Sequence, residues 1–168
     1  MKTKARKLPK AIRPEEFKAL IKVIPKKDSL SRIAFLLAYG SGMRISEVLK
    51  CVPQHFRNNA IEIRGSKYGV DRVVPIPKGW KEIFFKELPL KVKVRALQRR
   101  FDKYKQKANI NPLLTFHSLR HGFATRLTES GVPLNQVQVL IGHSNISTTN
   151  IYVRASPMDA IKSYEDLF

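Results

Sequence analysis

His117, Arg120 and His121 are spaced three and four apart, so a helix would set all three along one side, with Ala124 continuing the line. Phe116, Leu119, Phe123 and Leu127 occupy the other side, an apolar stripe able to anchor that helix in a core. Two imidazoles and a guanidinium then leave the first turns of a fixed helix, where amides without helical partners favour phosphate. A guanidinium fork stabilises the charge that a phosphodiester's nonbridging oxygens gain under attack. An imidazole can accept a proton near neutral pH. The His117–His121 pair also has the i,i+4 spacing of a zinc-binding helix. The interior glutamate of such motifs is missing, however, because Leu119 and Arg120 take the middle, and an arginine beside a dication is electrostatically poor. Phosphate is therefore the expected ligand, with no metal and no cofactor.

The elements that would carry these groups are mostly helices. Pro14-Glu15-Glu16 suits a helix start, with Phe17, Leu20, Ile21 and Ile24 as its apolar stripe. Asp28 or Ser29 caps a second helix running to about Tyr39, apolar nearly all round and so deeply buried. Gly40-Ser-Gly42 stops it, and a short third helix covers Arg44 to about Leu49. Ala60–Arg64 and Arg72–Ile76 alternate as a hairpin around a turn at 65–70. Further helices are expected at about Lys78–Leu88, Val92–Ala108, Phe116–Ser130 and Pro133–Ile141. A short helix would carry Tyr152, and Ser156-Pro-Met-Asp159 looks like a capping box for a last one. The fold class is mostly α with a small antiparallel β hairpin, an α+β chain.

The charge balance names the partner class. Thirty-two Lys and Arg against 13 Asp and Glu give +19 in a 168-residue chain with a pI near 10.4. Such an excess repels itself and calls for a polyanion, nucleic acid before an anionic membrane surface. No apolar run reaches membrane-spanning length, and no secretory signal follows the basic start. The single cysteine, Cys51, cannot form an internal disulfide, which suits a reducing, cytoplasmic compartment. Residues 1–13, with Lys2, Lys4, Arg6, Lys7, Lys10 and Arg13, read as a basic arm or linker, or equally as a solvated tail. The domain proper is expected over 14–168.

Three segments in order, Gly42-Met-Arg-Ile-Ser-Glu47, His117-Ser-Leu-Arg-His121 and Leu140-Ile-Gly-His-Ser144 followed by Thr148-Thr-Asn-Ile-Tyr152, closely resemble the tyrosine recombinase (phage integrase) family. The resemblance runs from about Pro14 to the C-terminus and implies that family's catalytic-domain fold. It implies that Arg44 and Arg120 are the paired catalytic arginines, that His117 and His143 flank the phosphate, and that Tyr152 is the nucleophile. Lys67 matches the family's hairpin lysine, since Lys67-Tyr-Gly-Val-Asp-Arg72-Val-Val-Pro75 resembles its turn. Glu47 matches an acidic supporting position and is expected to orient His117, and His121 is expected to be structural or to touch phosphate.

The chemistry implied is cleavage and rejoining of double-stranded DNA through a 3′-phosphotyrosine, with a free 5′-hydroxyl and neither metal nor ATP. A free phenol has a pKa near ~10, so nearby cations and a base such as His117 must help it attack. Lys67 would protonate the departing 5′-oxygen. Further phosphate contacts are expected from the arm and from Arg95, Arg99, Arg100, Lys103 and Lys107, which position DNA without specifying sequence. Met158, Ile161, Tyr164 and Phe168 share one side of the last helix. In the family such a segment docks on a neighbour in a DNA-bound homotetramer, and packing on its own domain is the alternative. A monomer is expected off DNA.

Individually these residues have ordinary readings. Arg44 and Glu47 make an i,i+3 helix pair, Lys67 is one more surface lysine, and Tyr152 lies between Ile151 and Val153 as a core aromatic would. The family's usual N-terminal DNA-clamping domain is absent from the sequence, which suggests either a minimal enzyme or a catalytic fragment, encoded by a host or by a mobile element or virus. The segment Lys50–His55 departs from the family's usual approach to the hairpin. A catalytically silent DNA-binding relative, a type IB topoisomerase-like activity and an RNA-binding protein are the rival readings.

Overall fold

The structure is a computed structural model that describes residues 10–64, 72–142 and 161. Six helices and a three-stranded sheet make up the described part: α1 Pro14–Lys22, α2 Ser29–Gly40, α3 Ile45–Lys50, β1 Phe56–Arg57, β2 Ala60–Ile63, β3 Arg72–Pro75, α4 Val94–Lys107, α5 His117–Glu129 and α6 Leu134–Ile141. The expected α+β class, dominated by helix, is what the chain adopts.

Helix α2 is the hub. Its near-continuous apolar sequence puts Ile33, Ala34, Phe35, Leu37 and Ala38 wholly inside, and it packs along α5. Phe35 meets Phe101 of α4 and Phe116 edge to face, with ring centroids 5.6 and 5.9 Å apart. Asp28 caps α2 by accepting from the Ser31 amide at 3.1 Å, as its sequence position implies. A second, smaller apolar group joins Phe123 and Leu127 of α5 to Val137, Leu140 and Ile141 of α6, with Ala60 and Ile161 completing it.

Four features differ from the sequence reading. The chain is part of the core before Pro14: Ile12 is 1% exposed, and its amide donates to the Ser118 carbonyl at 3.1 Å. The expected helix at Lys78–Leu88 is instead a single 3₁₀ segment, Glu82–Glu87. Pro77 and Gly79, at φ 85°, occupy the turn before it, and Pro89 follows, leaving too few residues for a longer helix. The hairpin has a third strand, β1, paired antiparallel with β2 through Phe56↔Ile61 and Arg57↔Ala60. Asn58 and Asn59, at φ 49° and 59°, make its two-residue turn. The third helix starts at Ile45, with Arg44 as its cap residue.

β2 and β3 pair antiparallel in the register Ile61↔Val74 and Ile63↔Arg72. Strand alternation sends Arg72 inward beside Val74. The residues between these strands, where the turn is expected, lie outside the described residues with Lys67, as do His143, Tyr152 and the helix expected around it, and residues 1–9 of the arm. Of the last helix only Ile161 is described; Met158, Tyr164 and Phe168 lie outside.

Candidate active site

Three arginines from three parts of the chain converge on one carboxylate. Glu47, at the third position of α3, turns back to accept from the Arg44 amide at 2.7 Å, which closes the helix start. Its Oε1 also accepts from Arg44 Nη1 at 3.0 Å. Arg72 meets both of its oxygens, Nη1 to Oε1 and Nη2 to Oε2, each at 2.7 Å. Arg120 Nη1, from α5, stands 4.0 Å from Oε2. The ordinary i,i+3 pair of Arg44 and Glu47 is therefore real, and it is one edge of a larger cluster.

The same guanidiniums grip the C-terminal end of α6. Arg72 Nε donates to the Leu140 carbonyl at 2.8 Å, Arg44 Nη2 to the Gly142 carbonyl at 2.9 Å, and Arg120 Nη2 to the Ile141 carbonyl. A helix end presents unpaired carbonyls and partial negative charge, so cations are at home there. Gly142 closes α6 in the left-handed region at φ 59°, and a Cβ there would lie 2.9 Å from Arg72 Cδ. Gly42 plays a matching part on the other side. It sits at φ 65°, and its carbonyl accepts from Arg120 Nη1 at 2.7 Å; a Cβ on it would fall 2.5 Å from the Phe123 ring.

Burial sorts the arginines. The Arg72 side chain is 2% exposed and that of Arg120 5%, while Arg44 keeps 31% of its side chain open. Burial raises the Glu47 carboxyl, but the hydrogen bonds and charge of Arg72, with the Arg44 amide and guanidinium, outweigh it and bring the group down to about 2. Burial and the neighbouring charges of Arg44 and Arg72 pull Arg120 down to about 9, with Glu47 opposing them. Among the described residues, three guanidiniums against one carboxylate leave an excess of positive charge, which an incoming anion would relieve.

His117 stands at the mouth of this cluster. With Arg120, Met43, Ile45, Gln98 and Phe116 it lines a cleft of about 50 Å³. Its ring lies edge to face with His121 at 4.5 Å between centroids. The loop that delivers α5 is tied down by Lys105, whose buried ammonium donates to the carbonyls of Pro112 at 3.0 Å and Leu114 at 2.7 Å and pairs with Asp102 at 2.9 Å. Ser118 Oγ accepts from the Thr115 amide at 3.0 Å just ahead of the helix. The Glu47 carboxylate, expected to orient His117, is engaged by arginines.

Arg44, Arg120, His117 and Glu47 are thus brought together, with His121 beside them. Arg72 joins the cluster although the sequence assigns it no role; its place in the Lys67–Pro75 segment and its inward strand position, shared with Val74, are the available signals. The basic residues of α4 are split. The face with Gln98 turns to the cleft, whereas Arg100 turns to α2 and pairs with Asp28 at 3.0 Å, beside the Tyr104 hydroxyl that donates to the same carboxylate at 2.6 Å. Arg95, Arg99, Lys103 and Lys107 are exposed. Lys67, His143 and Tyr152 lie outside the described residues.

Residues 10–158 match the phage integrase family. The chain belongs to that family. Among relatives of this phage integrase chain, tyrosine recombinase XerA of Thermococcus kodakarensis is 39% identical over 180 residues, covering 95% of this chain and 63% of its own length. The chain therefore spans about three fifths of that curated relative. In fold it resembles the integrase of mycobacterium phage Brujita, with TM-score 0.79 at 21% identity over 99% of this chain and 60% of that one. It also resembles XerH site-specific recombinase bound to palindromic difH substrate in a post-cleavage complex, with TM-score 0.68 at 22% identity over 95% of this chain and 50% of that one. The fold is that of a tyrosine recombinase catalytic domain. Among its described residues no helix is long and apolar enough to cross a membrane.

Proposed function

We propose that the chain is the catalytic domain of a site-specific DNA recombinase that cuts and rejoins duplex DNA through Tyr152. The observation that carries this is the convergence of Arg44 and Arg120 beside Glu47, with His117 and Arg120 lining one cleft. Membership of the phage integrase family, the +19 charge and a fold neighbour bound to difH substrate support it.

In this reading the scissile phosphate sits against Arg44 and Arg120, which stay charged at neutral pH and stabilise the pentacovalent transition state. The Tyr152 phenol oxygen attacks phosphorus as its proton passes to His117. The bond from phosphorus to the 5′-oxygen breaks, and Lys67 protonates that oxygen. His143 hydrogen-bonds the phosphate. The products are a 3′-phosphotyrosine and a 5′-hydroxyl, and attack by another 5′-hydroxyl reverses the step without external energy. The exposed cations Arg95, Arg99, Lys103 and Lys107 hold flanking phosphates, with Arg100 a lesser contributor because Asp28 already pairs with it. The working place is wherever that DNA lies, at the nucleoid.

The free chain is a monomer in this reading and assembles as a tetramer on DNA through its C-terminal helix. Ile161 packs on α5 and α6 of its own chain, so that assembly would exchange this contact between copies.

The test is a nicked duplex carrying the recombination site of the element that encodes the chain, labelled on the cleaved strand. Wild type is expected to form a denaturation-resistant protein–DNA adduct, and Tyr152→Phe none. Relaxation of supercoiled plasmids lacking any such site would favour a topoisomerase instead.

A further inference from the structure

We propose that Arg72 is a positioning residue that ties up the charge of Glu47, so that Arg44 and Arg120 keep theirs for the substrate phosphate. The inference rests on the phosphodiester-cleaving reading and assigns a part in it to a residue that cannot touch DNA.

Arg72 has no route to substrate: its side chain is 2% exposed and, unlike Arg120, it does not line the cleft beside His117. All three of its guanidinium nitrogens are engaged: Nη1 and Nη2 meet the two oxygens of Glu47 at 2.7 Å each, and Nε donates to the Leu140 carbonyl at 2.8 Å. Arg44 has a longer contact with the same carboxylate, 3.0 Å, and Arg120 only approaches it, at 4.0 Å. Glu47 is thus bound fork to fork by the one arginine that substrate cannot reach. Without Arg72 a buried carboxylate would turn its full charge on Arg44 and Arg120, and among the described residues the excess of this arginine–carboxylate cluster would fall from two positive charges to one. Arg72 also joins β3 to the end of α6. A lysine at position 72 would keep the charge but could not make two parallel bonds to the carboxylate and a third to a carbonyl from one planar group.

The experiment compares wild type with Arg72→Met, Arg72→Lys and each of these combined with Glu47→Gln. One readout is the single-turnover rate of adduct formation on the nicked duplex, measured alongside noncovalent affinity for the same DNA. The other is nitrogen NMR of the arginine side chains during titration with inorganic phosphate. Arg72→Met is expected to slow adduct formation roughly 100-fold, the scale of losing one preorganised donor set, while DNA affinity barely moves. Phosphate binding at Arg44 and Arg120 should weaken about tenfold, as expected from a lost unit of local charge. Adding Glu47→Gln should recover most of both losses, and Arg72→Lys should remain slow.

Wild-type rates and phosphate affinity in Arg72→Met would overturn the proposal. So would a loss that Glu47→Gln leaves in place although the melting temperature is restored, because Arg72 would then be scaffolding alone. If Arg72→Met does not fold, the Arg72→Lys pair of variants decides by the same criteria. If wild type forms no adduct, the cleavage reading fails, and the phosphate titration still decides the role of Arg72.

Discussion

Arg72 and Glu47 face each other fork to fork, two nitrogen–oxygen contacts of 2.7 Å between residues 25 positions apart and almost wholly buried. This pair makes the site's stability depend on acid. The Glu47 carboxyl is held near 2 in the folded chain against an ordinary 4.5, so its contribution is complete above about pH 4.5 and is lost as pH falls towards 2. The difference amounts to roughly 3 kcal/mol. Chemical denaturation of wild type and Glu47→Gln from pH 6 to pH 2 should show wild type losing more stability over that window. Parallel curves would mean that the pair does not hold the carboxylate ionised.

Gly142 is the next point of dependence. Gly142→Ala puts a Cβ at a left-handed φ of 59° and 2.9 Å from Arg72 Cδ. The backbone alone should cost about 1–2 kcal/mol, and displacement of Arg72 adds to it. Thermal melting should register the loss, with adduct formation falling further than stability does. An unchanged melting temperature and rate would show that the end of α6 does not rely on this contact.

Arg120 should not accept its closest chemical substitute. Its fork reaches the Gly42 carbonyl at 2.7 Å and the Ile141 carbonyl from one side chain, which an ammonium cannot do. Arg120→Lys is expected to cut the cleavage rate about 100- to 1000-fold with little change in duplex affinity. Cleavage within a few-fold of wild type would remove Arg120 from the chemistry.

The helix alternation, the Asp28 cap and the apolar stripe that places His117 and Arg120 were legible because each is a local pattern of period 3.6 or a known terminal signal. The 3₁₀ segment at Glu82–Glu87 reads as a full helix in the sequence because Phe84 and Phe85, with Trp80 ahead of them, supply apolar bulk without a helical period, while Pro77, Gly79 and Pro89 limit its length. β1 is only two residues long, and the asparagine pair that turns it was the signal passed over. The role of Ile12 was hidden between Lys10 and Arg13, since a single apolar residue in a basic stretch has no periodicity. The Arg72–Glu47 pair depends on tertiary contact: both residues fall in segments that resemble the family, but only the inward register of β3 hints that they meet.

The flank of α4 offers a separable test. Arg95 is exposed, whereas Arg100 is paired with Asp28 at 3.0 Å. Removing a cation that holds a phosphate lowers the slope of log affinity against log salt by about 1. Arg95→Ala should do so, and Arg100→Ala should change the slope less while lowering thermal stability through the loss of Asp28's partner. Equal slope changes would place both on DNA.

Cleavage should also be indifferent to chelation. Guanidiniums and imidazoles supply the charge stabilisation and proton transfer proposed, so adduct formation in excess EDTA is expected to match that in magnesium. Strict dependence on a divalent ion would require a different mechanism.

The most direct measurement is mass spectrometry of the protein–DNA adduct trapped on the nicked duplex after digestion with protease and nuclease. The expected product is a peptide containing Tyr152 that carries a 3′-linked nucleotide through its phenol oxygen. A nucleotide on any other side chain, or an adduct of undiminished yield from Tyr152→Phe, would contradict the assignment of Tyr152 as the group that breaks the strand.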